Sequence, residues 1–115
     1  MTSDADNDAA DKGLLRMERH GSGDSLTLEV TGEVDMSNAA ELETALAEAL
    51  GVARERLIVD LRGLEFIDST GLRSLVQFHQ TDHNATEIVY RNARGQVAEV
   101  LEITGLRSVL ELDEQ

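Results

Sequence analysis

The sequence predicts an α/β fold: a single domain built on a mixed β-sheet of about four to five strands, with helices packed mainly on one face. Three observations predict it. An unbroken apolar run, Leu57-Ile58-Val59 with Leu61, is short and β-branched, and it is too hydrophobic for a strand with one wet face, so it reads as a central strand covered on both sides. A few residues later, Leu72, Leu75, Val76 and His79 fall at i, i+3, i+4 and i+7, the spacing of one helix face. After an opening pair of strands, helical and extended patterns alternate along the chain, which implies a mixed sheet with parallel crossovers.

The elements follow in order. Met1 to Lys12 offers Asp, Ala and Asn with almost nothing to bury, and residues 1–12 are expected to be a disordered acidic tail before a domain spanning 13–115. Leu14 to His20 reads as a first strand and Gly21-Ser22-Gly23-Asp24 as a turn. From Leu26 to Val34, Leu26, Leu28 and Val30 alternate with Thr27, Glu29 and Thr31, the signature of a strand with one buried face and hence of a hairpin. Ser37 to Leu50 is amphipathic, with Ser37 or Asn38 as cap, Leu42, Leu46, Ala49 and Leu50 on one face, and Gly51 as its end. The central strand gives way to a loop, Arg62-Gly63-Leu64-Glu65, a second apolar pair, Phe66-Ile67, and a helix starting near Ser69 and closing near Asn84. Glu87 to Tyr90 is a further strand, Gln96 to Thr104 a short helix stopped by Gly105, and Val109 to Leu112 an edge strand or a helical tail.

Composition narrows the function classes. A chain of 115 residues is long enough for one core, and with 41% apolar but only 3% aromatic residues that core must be aliphatic. The net charge of −13 repels nucleic acid and anionic membrane surfaces and favours basic partner surfaces. With no cysteine, disulfides and thiolate metal sites are unavailable, which fits a cytoplasmic protein. No apolar stretch approaches the roughly 20 residues of a membrane span, and the N-terminus lacks a signal-peptide pattern.

The junction between strand and helix carries the chemistry. A helix N-terminus leaves backbone N–H groups unpaired and concentrates positive potential, so Asp68 or Ser69 can cap it, and a phosphate there is tolerated. In such sheets exposed reactive groups lie at the carboxyl ends of strands. Ser69 occupies one such end, and the segment around Asp35 and Met36, just past the second strand, occupies another.

The string Phe66-Ile67-Asp68-Ser69-Thr70-Gly71-Leu72, preceded by Ile58-Val59-Asp60-Leu61 and Gly63-Leu64, resembles the signature of the STAS domain family, whose best-known soluble members are bacterial anti-sigma factor antagonists. Thr31-Gly32-Glu33-Val34-Asp35 looks like the family's Gly-Glu-aliphatic-Asp segment, and Ile103-Thr104-Gly105-Leu106 like its closing motif. The position after Leu72 is often Gly or Ala in the family and here is Arg73. The resemblance implies that Ser69 is a phosphoacceptor and that Asp35, Met36, Asp68, Ser69, Thr70, Gly71 and Arg73 form a partner-binding face. Unmodified, that face would bind an anti-sigma factor, commonly also a Ser/Thr kinase, and release its sigma factor. A separate phosphatase would reverse the phosphorylation, and no cofactor is implied. Arg73, four residues beyond Ser69 on the same helix face, would partly neutralise the phosphate. The alternative within the same resemblance is a scaffold or ligand-binding subunit of a lipid or anion transporter or of a stress-sensing complex.

Enzyme readings fare worse. The flanks of Ser69 are Asp68 and Thr70 rather than a Gly-x-Ser-x-Gly elbow, and the histidines are His20, His79 and His83. Asp68-Ser69-Thr70-Gly71 departs by one residue from the Asp-Thr-Gly of aspartic proteases. His79 and His83, at i and i+4, could share a metal, but no third ligand of suitable spacing stands out.

Overall fold

A computed structural model describes residues 14–22, 24–81, 85–104 and 110–111. The acidic tail over 1–12, the turn residue Gly23, His83, Asn84, Gly105, Val109 and Leu112 lie outside the described residues. Five strands, β1 (Arg16–Ser22), β2 (Ser25–Val34), β3 (Arg56–Ile67), β4 (Glu87–Arg91) and β5 (Leu110–Glu111), form one sheet in the order β1-β2-β3-β4-β5. β1 and β2 are an antiparallel hairpin; β3, β4 and β5 each run parallel to the preceding strand. The helices α1 (Ala39–Val52), α2 (Ser69–Gln80) and α3 (Gly95–Thr104) supply the crossovers.

One face of the sheet meets the helices. Leu26, Leu28 and Val30 of β2, Leu57, Val59 and Leu61 of β3, and Ile88 and Tyr90 of β4 form a single buried cluster with Leu42 and Leu46 of α1, Leu75 and Phe78 of α2, and Val97 and Leu101 of α3. The period of two along each strand puts these residues on the same side. β3 is therefore not covered equally on both sides, as its apolar run suggests: Ile58 is buried but stands outside the helical cluster, on the opposite face. Tyr90, fully buried, brings its hydroxyl 3.4 Å from Nδ1 of His79, and burial pushes that hydroxyl's pKa upward.

Several boundaries differ from the sequence reading, each for a local reason. Arg62-Gly63-Leu64-Glu65 is not a loop. β3 runs on through it to Ile67 because Thr31, Gly32, Glu33 and Val34 keep pairing with Gly63, Leu64, Phe66 and Ile67, two register shifts absorbing the extra residues. One of those shifts follows Gly32, whose φ of 111° and close approach to the Leu14 carbonyl exclude a side chain. Gly21 and Ser22 belong to β1, so the hairpin turn is tighter than the four residues expected. α1 begins at Ala39 and continues through Gly51 to Val52, because helix packing by Leu46 and Ala49 outweighs the roughly 1 kcal/mol that a glycine costs. α2 buries Gly71, Ser74, Leu75 and Phe78, so its core face is rotated from the Leu72–Leu75–Val76–His79 stripe, whose other three members are half-buried.

Candidate functional site

β2 and β3 end side by side, with Val34 paired to Ile67 and the backbone N–H of Asp68 donating to the Val34 carbonyl at 3.0 Å. Parallel pairing thus brings the two predicted segments, 35–36 and 68–73, to one end of the sheet, a neighbourhood that the sequence alone does not fix. Each strand finishes with the same word: a buried aliphatic residue, then an aspartate.

The two aspartates do different work. Asp68 is the N-cap of α2: its Oδ1 accepts the Gly71 N–H at 2.9 Å, and its carbonyl accepts the Leu72 N–H at 2.8 Å. Ser69 is thereby relieved of capping. It stands at the first helical position, exposed, and no hydrogen bond engages its hydroxyl among the described residues. Thr70 is half-buried, Arg73 exposed one turn further along, and Gly71 buried. A Cβ on Gly71 would collide with Cγ1 of Val34 and come within 2.8 Å of Cγ1 of Ile67, so this glycine lets the first turn of α2 lie directly on both strand ends.

Asp35 instead organises a turn. Its Oδ1 accepts the Ser37 hydroxyl at 2.5 Å and the Ser37 N–H at 2.8 Å. The hydroxyl first and the backbone N–H second hold the carboxyl below the ordinary carboxylate range. Asn38 occupies the N-cap position of α1, its carbonyl accepting the Glu41 and Leu42 N–H groups, but its side chain makes no cap bond. It reaches backwards, Oδ1 accepting from the Asp35 N–H at 2.9 Å and Nδ2 donating to the Glu33 carbonyl at 3.0 Å. The turn so held projects Met36, 78% exposed. Phe66 is 40% exposed while Ile67 is 1%: the apolar pair splits, one residue to the core and one to solvent.

Sequence reasoning missed Phe66, Ser37 and Gln96 as members of this region. Strand alternation, once β3 is known to be continuous, would have found Phe66. Gln96, on α3, binds both backbone groups of Ile67, Oε1 accepting its N–H at 3.1 Å and Nε2 donating to its carbonyl at 2.8 Å. No local signal announces a contact across 29 residues. Of the two histidines weighed and set aside as a metal pair, His79 has its Nδ1 3.4 Å from the Tyr90 hydroxyl, and His83 lies outside the described residues. Among the described residues, Glu18, His20 and Glu29 do gather, on the hairpin, where His20 Nε2 lies 3.5 and 3.1 Å from the two carboxylates. All three are exposed, and the contacts of His20 with the two carboxylates account for the arrangement. No helix among the described residues is long and apolar enough to cross a membrane.

Comparison with known proteins agrees with this fold. The chain is 35% identical over 79 residues to BtrV of Bordetella bronchiseptica, provisionally named an anti-sigma factor antagonist, the match covering 68% of each. It is 27% identical over 88 residues to the anti-sigma-B factor antagonist of Staphylococcus aureus, covering 76% of this chain and 82% of that one. The crystal structure of an anti-sigma factor antagonist from Mycobacterium paratuberculosis superposes with a TM-score of 0.76 at 25% identity, covering 90% of this chain and 88% of the other. A family model described as "Mlab, STAS domain" matches residues 17–111, all five strands and three helices. With a family model matched over most of its length, this chain belongs to the STAS domain family.

Proposed function

We propose that this protein is an anti-sigma factor antagonist: with Ser69 unmodified, the face carrying Asp35, Met36, Asp68, Ser69, Thr70 and Arg73 docks onto an anti-sigma factor and frees the sigma factor it holds. Phosphorylation of Ser69 by that anti-sigma factor acting as a Ser/Thr kinase abolishes docking, and a phosphatase restores it. The observation that carries the reading is the Ser69 hydroxyl, exposed and without a hydrogen-bond partner among the described residues because Asp68 has taken the cap. The names of the relatives supply the class of partner.

The chemistry of the face suits the role. Met36 and Phe66 are exposed apolar residues at these strand ends, and Glu65, Asp68 and Asp35 flank the segments in a chain of net charge −13, so a basic partner surface with an apolar recess would complement it. A phosphate adds about −1.5 to −2 charges and three acceptor oxygens. On Ser69 it meets solvent and the first turn of α2 rather than the core, so the expected effect is local blockade, with the fold unchanged. Emptying the complex requires a loss of about 3 kcal/mol, within reach of one to three disrupted charge-assisted contacts.

The test is direct. Incubation with the anti-sigma kinase and ATP is expected to add one phosphate, which Ser69→Ala loses; phosphate on another residue overturns the assignment. Capture of a transporter subunit rather than an ATP-binding anti-sigma factor from the native cell would move the protein to the transporter class.

A further inference from the structure

β4 is five residues long and β3 twelve, so β4 pairs only with Arg56 to Asp60 of β3. Beyond Asp60 the β4-side edge of β3 has lost its partner strand. The chain leaves the sheet at Asn92, in the left-handed region at φ 68°, its Nδ2 donating to Oδ1 of Asp60 at 3.1 Å, and enters α3 three residues later. Val97 and Leu101, both fully buried, lock α3 in the core. The first turn of α3 is thereby set beside the unpaired end of β3. There the Gln96 carboxamide takes both backbone groups of Ile67, at 3.1 and 2.8 Å, as one residue of a hydrogen-bonded antiparallel pair would.

Ile67 is the residue before the cap. Its successor Asp68 is tied to β2 through the Val34 carbonyl, so the peptide leading to Ser69 is gripped from both sides, by β2 on one and by a single side chain on the other. Water would satisfy the Ile67 groups if the carboxamide were absent, but would not fix them in direction.

We infer that Gln96 is a positioning residue for the docking face: it substitutes for the missing strand, sets the direction in which Asp68 and Ser69 leave β3, and so governs how well the unmodified face fits its partner. This rests on the docking role proposed above, and Ser69→Asp serves as the reference that separates the two.

Amide hydrogen exchange by NMR and affinity for the anti-sigma factor test it together. In Gln96→Ala the Ile67 amide is expected to exchange at least tenfold faster with Ile58 unchanged, and affinity to fall at least tenfold. Affinity within twofold of the wild type, while Ser69→Asp lowers it about 100-fold, overturns the inference. If Ser69→Asp leaves the partner bound, the docking role itself has failed. Gln96→Glu decides the matter should the alanine variant not fold. Its carboxylate accepts the Ile67 N–H but cannot donate to the Ile67 carbonyl, whereas the protonated acid does both. Ile67 and Asp68 amide shifts are expected to return to wild-type values as pH falls through the titration of that carboxyl. Shifts that ignore its protonation overturn the positioning role.

Discussion

Two strand ends stand next to each other in this molecule, each carrying an aspartate followed within two residues by a serine, and they treat the serine oppositely. At the end of β2, Asp35 grasps the Ser37 hydroxyl at 2.5 Å, and the serine is spent on shaping a turn. At the end of β3, Asp68 spends its carboxylate on the Gly71 N–H, and the Ser69 hydroxyl is left to solvent. The difference lies in the spacing to the following helix. α2 begins directly after Asp68, which is therefore the cap; α1 begins four residues after Asp35, so that aspartate must build a turn before any helix exists. One serine is a structural member and the other keeps its hydroxyl in solvent, although both follow strands that end side by side.

This contrast can be broken experimentally, and the largest effect is expected at Ser69. Ser69→Asp should weaken binding to the anti-sigma factor about 100-fold, or about 3 kcal/mol, whereas Ser37→Ala should stay within a few-fold; titration calorimetry of the two variants side by side reads the difference. Equal losses would mean that the two serines do the same work.

Next in size is Gly71→Ala. Its methyl group would meet Val34 and Ile67, and forcing α2 away from the strand ends should cost about 1–3 kcal/mol of stability in urea unfolding. Unchanged stability would show that the first turn of α2 does not rest on both strands.

The smallest effect concerns charge. Ser37→Ala removes the donor that chiefly lowers the Asp35 pKa, so carboxyl titration by carbon NMR should show it rising toward the ordinary aspartate range. The sign follows from linkage. A depressed carboxylate contributes stability above its unfolded pKa and loses it as pH falls through the folded value, so the variant should lose its share earlier on acidification. An unmoved Asp35 pKa would place the cause elsewhere.

Much of this was legible in the chain. The alternation of Leu26, Leu28 and Val30 and the run Leu57-Ile58-Val59 marked β2 and β3, and Asp68-Ser69-Thr70-Gly71 marked the start of α2, because burial and capping are local and leave local patterns. The adjacency of Asp35 and Asp68 was not legible, since it depends on which strands pair. Nor was the continuity of β3 across Gly63, because the bulges that permit it belong to β2 and β3 together. Gln96 was hidden most completely: a glutamine in a helix has no reason, in sequence, to behave as a strand residue.

The solvent-facing oxygen of Ser69 also sets the tempo of any signal written there. Whatever is attached to it displaces no internal bond, so installing or removing the mark needs no repacking of the interior. Under the switch proposed above, the response time would belong to the enzymes that write and erase, and a cell could retune it through their abundance while leaving this protein untouched.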